Sequence, residues 1–380
     1  MERKTFFIIN DSYFNYIIYL FIFLFWLISG FSRLNFIESD SEVKEFITII
    51  IAVKNESKNI KKLLKSLSNQ SYPTKKYEII ICDDKSTDDT LKIMNTYKDK
   101  IKNLKIISIN KTPSGWANKK WALNEAISQS NGEIILQTDG DCIPEEKWIE
   151  KMILPFHDKA NGFVMGYTPI IKEKNNLMSK LLVFENMVQD AFNMFCVSNN
   201  LTISCVGRSI AFRKKYFFNV NGYENIKSII SGDDDLLMHK IINFNKCKIK
   251  YVISRDSYVY SCAPKSIKEF INQRLRFASM GKLYYDLFFI SSELKLILPF
   301  LYVVNLSVIF ALLIFINNPS FFNFLPFLIK TFSEGVLLSI FCTTFQFKWD
   351  TISFLLLSIF HPFYIIIFST IAPFKRVIWK

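Results

Sequence analysis

From residue 46 onward, short apolar runs alternate with segments of helical spacing. Residues 46–53 form one continuous, largely β-branched run, the pattern of a strand buried on both faces. Lys54-Asn55-Glu56-Ser57 follows as a turn with N-capping residue types. Ile60, Leu63, Leu64 and Leu67 then recur at helical spacing. Residues 77–82, 104–109 and 133–136 read as three further strands. Between them, one helix is expected to open on Asp83-Asp84-Lys85-Ser86-Thr87-Asp88-Asp89-Thr90 and to carry Leu91 and Met94. Another is expected over residues 116–129, with Leu123, Ala126 and Ile127 on one side. This alternation predicts an α/β fold with a mostly parallel sheet and right-handed crossovers. Residues 145–290 are less regular and give no clear element pattern.

Apolar stretches of another kind flank this region. Residues 13–31 carry no charge and roughly match one membrane span. Glu2, Arg3 and Lys4 precede them, but no small-residue cleavage site follows, so a retained anchor is expected. Residues 296–329 also lack charge and are too long for a single span. The pattern predicts one span over 296–316, a break at Asn317-Asn318-Pro319, and a less apolar one over 321–347 containing Lys330 and Glu334. A third runs over 351–374 and is expected to be interrupted at His361-Pro362. The expected organisation is therefore an N-terminal anchor (1–37), a catalytic domain (46–290) and a C-terminal transmembrane region (294–374). With a cytoplasmic catalytic domain, three later spans put the tail outside, whereas Lys375, Arg376 and Lys380 favour the cytoplasmic side. One of the later segments is thus a candidate re-entrant or interfacial helix. The expected location is the cell (inner) membrane.

Composition agrees. Half of the 380 residues are hydrophobic and 38 are Phe, which points to membrane segments beside a globular core. The net charge of +13 suits nucleic acid, anionic headgroups or phosphorylated substrates. Helix-turn-helix, zinc-finger and RNA-recognition signatures are absent and the lysines are scattered, so no nucleic-acid partner is expected. The seven cysteines show no pairwise spacing and read as reduced, mostly buried thiols. The three histidines are isolated and are assigned no metal.

Three acidic clusters stand out. Gln137-Thr138-Asp139-Gly140-Asp141-Cys142 follows the fourth strand. If the chain stays extended through Gly140, Asp139 and Asp141 share a direction, and a hard divalent cation completed by substrate phosphates fits between them. The alternative is an ordinary Asp-Gly turn. Asp83 and Asp84 end the second strand, either as ligand-binding acids or as helix caps. Ser231-Gly232-Asp233-Asp234-Asp235 is the third cluster, either a site or the acidic first turn of a helix. In parallel sheets, ligands bind beyond the carboxyl ends of the strands, where the first two clusters sit. The irregular region also holds Cys205-Val206-Gly207-Arg208-Ser209 and Gln273-Arg274-Leu275-Arg276-Phe277.

In this order and spacing the segments resemble the family-2 glycosyltransferases of the GT-A fold, especially membrane-bound members related to cellulose and hyaluronan synthases. Ile50-Ile51-Ala52-Val53-Lys54-Asn55-Glu56 resembles the family's first strand and turn, and Cys82-Asp83-Asp84-Lys85-Ser86 its nucleotide-binding segment. Asp139-Gly140-Asp141 resembles the metal motif, Gly232-Asp233-Asp234 the acidic pair whose second member is the base, and Gln273-x-x-Arg276-Phe277 the Gln-x-x-Arg-Trp motif. The resemblance implies that Ala52, Glu56, Asp83 and Asp84 border the nucleotide. Asp139 and Asp141 would hold the donor diphosphate through Mg or Mn, and Asp234, beside Asp233, would be the general base. Gln273 and Arg276 would bind diphosphate or acceptor, and Lys119 or Lys120 would touch phosphates. Phe277 departs from the family's Trp: an aromatic face remains, but the indole N–H is lost. The expected activity is inverting transfer from a nucleotide-sugar, a UDP-sugar by expectation, to a lipid or lipid-linked glycan at the membrane. The alternatives are a processive polysaccharide synthase, a non-catalytic membrane scaffold on this fold, and a nucleotidyltransferase.

Overall fold

The computed structural model describes residues 25, 29–33, 44–172, 176–264 and 266–375. Almost all of the expected anchor at 13–31, and the tail residues Arg376 and Lys380, lie outside the described residues. The first expected strand forms as β1 (Ile47–Val53), buried along its length except at half-buried Ala52. Helix α1 (Ile60–Ser68) buries Ile60, Leu63, Leu64 and Leu67, the four positions marked by the spacing. There follow β2 (Tyr77–Asp83), α2 (Thr90–Asn95), β3 (Leu104–Ser108), α3 (Asn118–Ser128) and β4 (Ile134–Gln137). β1 pairs in parallel with β2 and with β4, and β2 with β3. Strands covered on both faces must be apolar at every position, which is why these were readable as unbroken runs.

The less regular region completes the sheet. It forms β5 (Ile143–Pro144), α4 (Trp148–Ile153), β6 (Asn161–Gly166), β7 (Ile170–Ile171), α5 (Leu177–Ser198), β8 (Ile210–Arg213) and α6 (Lys214–Asn219). Then come α7 (Asp235–Asn245), β9 (Lys248–Val252), β10 (Val259–Cys262) and α8 (Ile267–Asp286). The seven-stranded sheet has the order β3-β2-β1-β4-β8-β6-β9. β8 runs antiparallel to both β4 and β6, while β6 and β9 are parallel, so the sheet is mostly parallel. A small second sheet has the order β5-β10-β7. The seven cysteines are free thiols, five of them buried.

Three helices follow: α9 (Ser292–Asn317), α10 (Phe321–Phe345) and α11 (Thr351–Ile371). Each is long and apolar enough to cross a membrane, with mean hydropathy of 2.5, 1.5 and 2.0 over its most apolar stretch. The break between α9 and α10 falls at Asn318-Pro319, as the pattern predicts. The expected interruption at His361-Pro362 is not there, because α11 continues through Pro362. A proline costs a helix one backbone donor, and neighbouring helices can offset that loss. The two charges within α10 are neutralised internally: Lys330 lies 2.5 Å from Glu334, which is 3.5 Å from His361 Nδ1 on α11. Aromatic packing joins these helices to the sheet region. The Tyr167 ring contacts those of Phe341, Phe345 and Phe347 at centroid distances of 5.1, 5.6 and 5.7 Å.

Candidate active site

The turns after β1 and β2 are laced together. Asn55 adopts a left-handed conformation (φ 55°). Its backbone N–H donates to Ser86 Oγ at 2.9 Å, and its side-chain oxygen accepts from the Thr87 N–H at 2.8 Å. The Glu56 N–H donates to Thr90 Oγ1 at 2.8 Å. Asp83 and Asp84 are both buried at the strand end. Asp84 lies 3.3 Å from Lys85 and 3.9 Å from Lys54. Asp83 Oδ2 accepts weakly from the Ser86 N–H at 3.3 Å, while its Oδ1 is buried without a hydrogen-bond partner. Neither acid caps α2: its N-cap is Asp89, which makes no side-chain cap bond, and Asp88 before it accepts from the Thr90 N–H at 3.0 Å.

Beyond β4 the extended-chain premise fails. The strand ends at Gln137 and the chain turns at Gly140, with the Cys142 N–H donating to Asp139 O at 3.2 Å. A Cβ on Gly140 would come within 2.8 Å of Val53 Cγ1, so glycine lets this turn close against β1. Alternation along a strand therefore does not account for where Asp141 lies. Asp139 is drawn instead to Lys119, on the first turn of α3, at 2.9 Å. The same ammonium lies 2.8 Å from Asp233 Oδ2. One cation thus bridges acids 94 positions apart in the chain. Burial alone would depress the Lys119 pKa, but Asp139 and Asp233 outweigh it and hold it well above the usual value. Burial likewise opposes ionisation of Asp233, and the adjacent Lys119 ammonium overcomes it, so its carboxyl titrates below the usual range. Gln137 Nε2, at 3.4 Å, is a weak further donor to Asp233. Asp141 is half-buried, and among the described residues no cation lies within ion-pair distance of it.

Lys120 does different work from its neighbour. Its side chain is completely buried, and its ammonium donates to the carbonyls of Ile226, Ile229 and Ser231 at 2.9, 2.7 and 2.7 Å. That clamp fixes the loop delivering the third acidic cluster. Asp234 then caps α7, its Oδ1 accepting from the Asp235 N–H at 2.8 Å. Its Oδ2 accepts from the Gly207 N–H at 2.7 Å. Burial, then the charges of Asp233 and Asp235, push the Asp234 pKa up to about 7. Asp235 is held from α8, where the Tyr284 hydroxyl donates to its Oδ2. The helix-terminus reading of this cluster is realised, with Asp234 as the cap of α7.

The remaining expected residues are more dispersed. Ala52 is half-buried beside Cys82 in the β1–β2 pair. Gln273 and Arg276 are half-buried on α8, about three and two turns before Tyr284. The Phe277 ring lies under two guanidinium groups, 5.4 Å from that of Arg276 and 5.8 Å from that of Arg274. Trp148 is a packing residue, fully buried with Nε1 donating to Ser209 Oγ at 3.0 Å. Sequence reasoning gave no role to Gly207 or Tyr284. Gly207 lay within a segment already noted, but no spacing pointed to Tyr284.

Among the described residues, no three His, Cys, Asp or Glu side chains gather as a preformed ion cage. Asp139 and Asp141 remain as two hard oxygen donors on one turn, a set that suits a divalent ion whose shell is completed by substrate phosphates.

Residues 48–218 match the sequence profile described as Glycosyl transferase family 2. Glycosyltransferase AglE of Haloferax volcanii is 37% identical over 106 residues, covering 28% of this chain and 34% of that protein. The dolichyl N-acetyl-α-D-glucosaminyl phosphate 3-β-D-2,3-diacetamido-2,3-dideoxy-β-D-glucuronosyltransferase of Methanococcus voltae is 29% identical over 249 residues, covering 62% and 72%. The chain spans about a third of the length of the first curated relatives it matches. Mannosyltransferase PcManGT from Pyrobaculum calidifontis, solved in complex with GDP-Man and Mn2+, superposes with a TM-score of 0.59 at 14% identity and 96% coverage of both chains. That likeness is one of fold, and it is the GT-A fold. Motif order, fold and matched segment agree: residues 48–218 carry a glycosyl transferase family 2 domain.

Proposed function

We propose that the chain is an inverting, metal-dependent glycosyltransferase. It moves a sugar from a nucleotide-sugar, with UDP-sugars the first donors to test, to a lipid or lipid-linked glycan at the membrane. The observation that carries this reading is the convergence of Asp139, Lys119, Asp233 and Asp234 at one rim. The lipid-linked substrate in the name of the Methanococcus voltae relative supports the acceptor class. The three apolar helices support action at a membrane, with a catalytic domain over 46–290, a transmembrane region over 294–374 and an anchor within 1–37.

In this reading Ala52, Glu56, Asp83 and Asp84 border the nucleotide, and the partnerless oxygen of Asp83 awaits a donor from it. Asp139 and Asp141 hold the divalent ion, which when bound neutralises charge on the diphosphate leaving group. Lys119, already seated on Asp139, adds its own positive charge on that side. Asp234 takes the proton from the acceptor hydroxyl as that oxygen attacks the anomeric carbon. The anomeric C–O bond breaks, its electron pair leaves on the nucleoside diphosphate, and the configuration inverts. A carboxyl group with a pKa of about 7 is matched to accepting a proton near neutral pH. Gln273 and Arg276 serve diphosphate or acceptor.

The test is release of nucleoside diphosphate by the detergent-purified full chain, with a panel of nucleotide-sugars and Mg2+ or Mn2+. Asp234→Asn keeps a good cap and should lower transfer by about 10²–10⁴-fold. Release that this variant leaves unchanged would remove Asp234 from its role, and no release with any donor would leave the scaffold reading. The Staphylococcus epidermidis relative, 26% identical over 286 residues, is a poly-β-1,6-N-acetyl-D-glucosamine synthase. Product length therefore separates single transfer from polymerisation.

A further inference from the structure

Next to the Gly207 clamp on Asp234 stands a cation that the transfer reading does not use. Arg208 is half-buried, and among the described residues no carboxylate lies within ion-pair distance of it. Its Nη1 contacts the hydroxyl of Ser261, a buried residue on β10. A guanidinium has five N–H donors, so one hydroxyl leaves most of them unused. The surrounding strip is built by three chain segments: the Gly166 N–H donates to Ser209 O at 3.0 Å, and the Ser261 N–H donates to Pro169 O at 3.1 Å. On that strip the hydroxyls of Tyr167 and Thr168 are buried without hydrogen-bond partners.

Arg208 acts at this strip against carboxylates that weigh more than it does: Asp141 and Asp139 at Cys142, and Asp190 at Tyr167. The Arg208 charge is felt by Cys142, Tyr167 and Asp190, lowering the pKa of each against burial. Asp190 is the carboxylate in this group, and it is committed elsewhere: it accepts from the Tyr251 hydroxyl and from Asn186 Nδ2, both at 3.0 Å. Burial pushes its pKa up to about 7, so near neutral pH it carries only part of its charge. Tyr167, on the same strip, packs on Phe341 and Phe345 of α10. Arg208 therefore stands between the acidic rim and the apolar helices.

We infer that Arg208 and Ser261 form an anion subsite that holds the phosphate of a lipid-linked phosphosugar acceptor while a hydroxyl of that sugar meets Asp234. A planar guanidinium matches phosphate oxygens in pairs, and unpartnered hydroxyls beside it can donate to the same anion. The assignment rests on the transferase reading and narrows its acceptor from lipids in general to phosphorylated lipids, excluding neutral glycerolipids as the preferred class.

The test measures binding without turnover. The full chain in nanodiscs is titrated with a polyprenyl phosphate, with the matching free polyprenol, and with phosphatidylglycerol. The wild-type chain should retain the phosphate at least about tenfold better than either control. Arg208→Gln should erase that preference, Ser261→Ala should weaken it about threefold, and Arg208→Lys, which keeps the charge, should retain part of it. Thermal melts of each variant report folding; should Arg208→Gln not fold, Arg208→Lys and Ser261→Ala carry the test. Equal retention of polyprenol and polyprenyl phosphate overturns the subsite, and so does a preference that survives in the folded variants. Equal, Arg208-dependent retention of phosphatidylglycerol overturns the acceptor assignment in favour of general attraction to an anionic surface. The transferase reading fails separately, through absence of nucleoside diphosphate release.

Discussion

The substitution Asp235→Asn tests the electrostatics of the proposed base directly. Asp234 has a pKa of about 7 because burial and then the charges of Asp233 and Asp235 disfavour its ionised form. Below about pH 7, kcat/KM should therefore rise about tenfold per pH unit, levelling above it. Removing the Asp235 charge removes one repulsion. At an effective dielectric of about 20 and a separation of about 6 Å, that repulsion is about 3 kcal/mol, or about two pKa units. The rim is partly open to water and the Lys119 ammonium screens the cluster, so about one unit is the reasonable expectation. The sign is unambiguous: less negative charge favours the carboxylate, the pKa falls, and the acidic limb moves to lower pH. Asparagine is a fair probe because its amide oxygen can still accept from the Tyr284 hydroxyl and from the Leu236 N–H that Asp235 Oδ1 now binds at 2.8 Å. The assay is nucleoside diphosphate release from pH 5 to 9 at limiting donor and acceptor. A limb that stays within about 0.3 units of wild type, or moves upward, refutes this account of Asp234.

Other consequences follow from the same geometry. A Cβ at Gly207 would sit 3.0 Å from Gln137 Nε2 and 3.1 Å from Asp234 Oδ2. Gly207→Ala should thus push the carboxylate off its backbone donor and lower kcat by about tenfold with melting near wild type; an unchanged kcat would show that the clamp does not orient Asp234. Lys120→Met strands three buried carbonyls. The cost is about 3–5 kcal/mol, a fall in melting temperature of about 10 °C by circular dichroism, and a loss under 2 °C would mean the loop does not depend on Lys120. Chelation should abolish nucleoside diphosphate release and Mg2+ or Mn2+ should restore it; full activity in excess chelator would remove Asp139 and Asp141 from an ion-binding role.

The part of the sheet that was legible is the parallel run of β1 to β4. β1 and β2 are each seven residues long and apolar nearly throughout, so their burial was written in their composition. β8 is four residues long, comes between a helix of 22 residues and another of six, and inserts antiparallel between β4 and β6. No local pattern encodes that insertion, because strand order depends on contacts distant in sequence. The site shows the same division. Each acidic cluster was visible, yet the ion that joins Asp139 to Asp233 was not. Lys119 and Lys120 are adjacent and chemically identical, and only the direction each takes from α3 sends one to the rim and the other into a nest of carbonyls. Asp-Gly suits both an extended segment and a turn, so the sequence leaves both open at Gly140, and the contacts of the fold select the turn. α11 runs through His361-Pro362 because a local rule about proline yields to the packing of neighbouring helices.

What the motifs did not convey is how the acidic rim is tied to the apolar helices, and α8 supplies the link. Near its end, Tyr284 donates to Asp235, the neighbour that raises the Asp234 pKa. Ten residues earlier, about 15 Å along the axis, Arg274 pairs with Glu185 on α5 and lies 5.9 Å over the Tyr364 ring of α11. Phe270, a further turn back, packs against both Tyr364 and Phe368 at 6.2 Å. Both ends of this helix are thus fixed by buried side chains, one to the acid cluster and one to a helix able to span the bilayer. A rigid element fixed in that way sets the height of Asp234 above the apolar helices. It also explains why Arg274 rather than Arg276 is the buried arginine of the pair. In the proposed function, that fixed height matters more than the identity of any single acceptor contact, because a lipid-borne hydroxyl can rise only a limited distance from the bilayer.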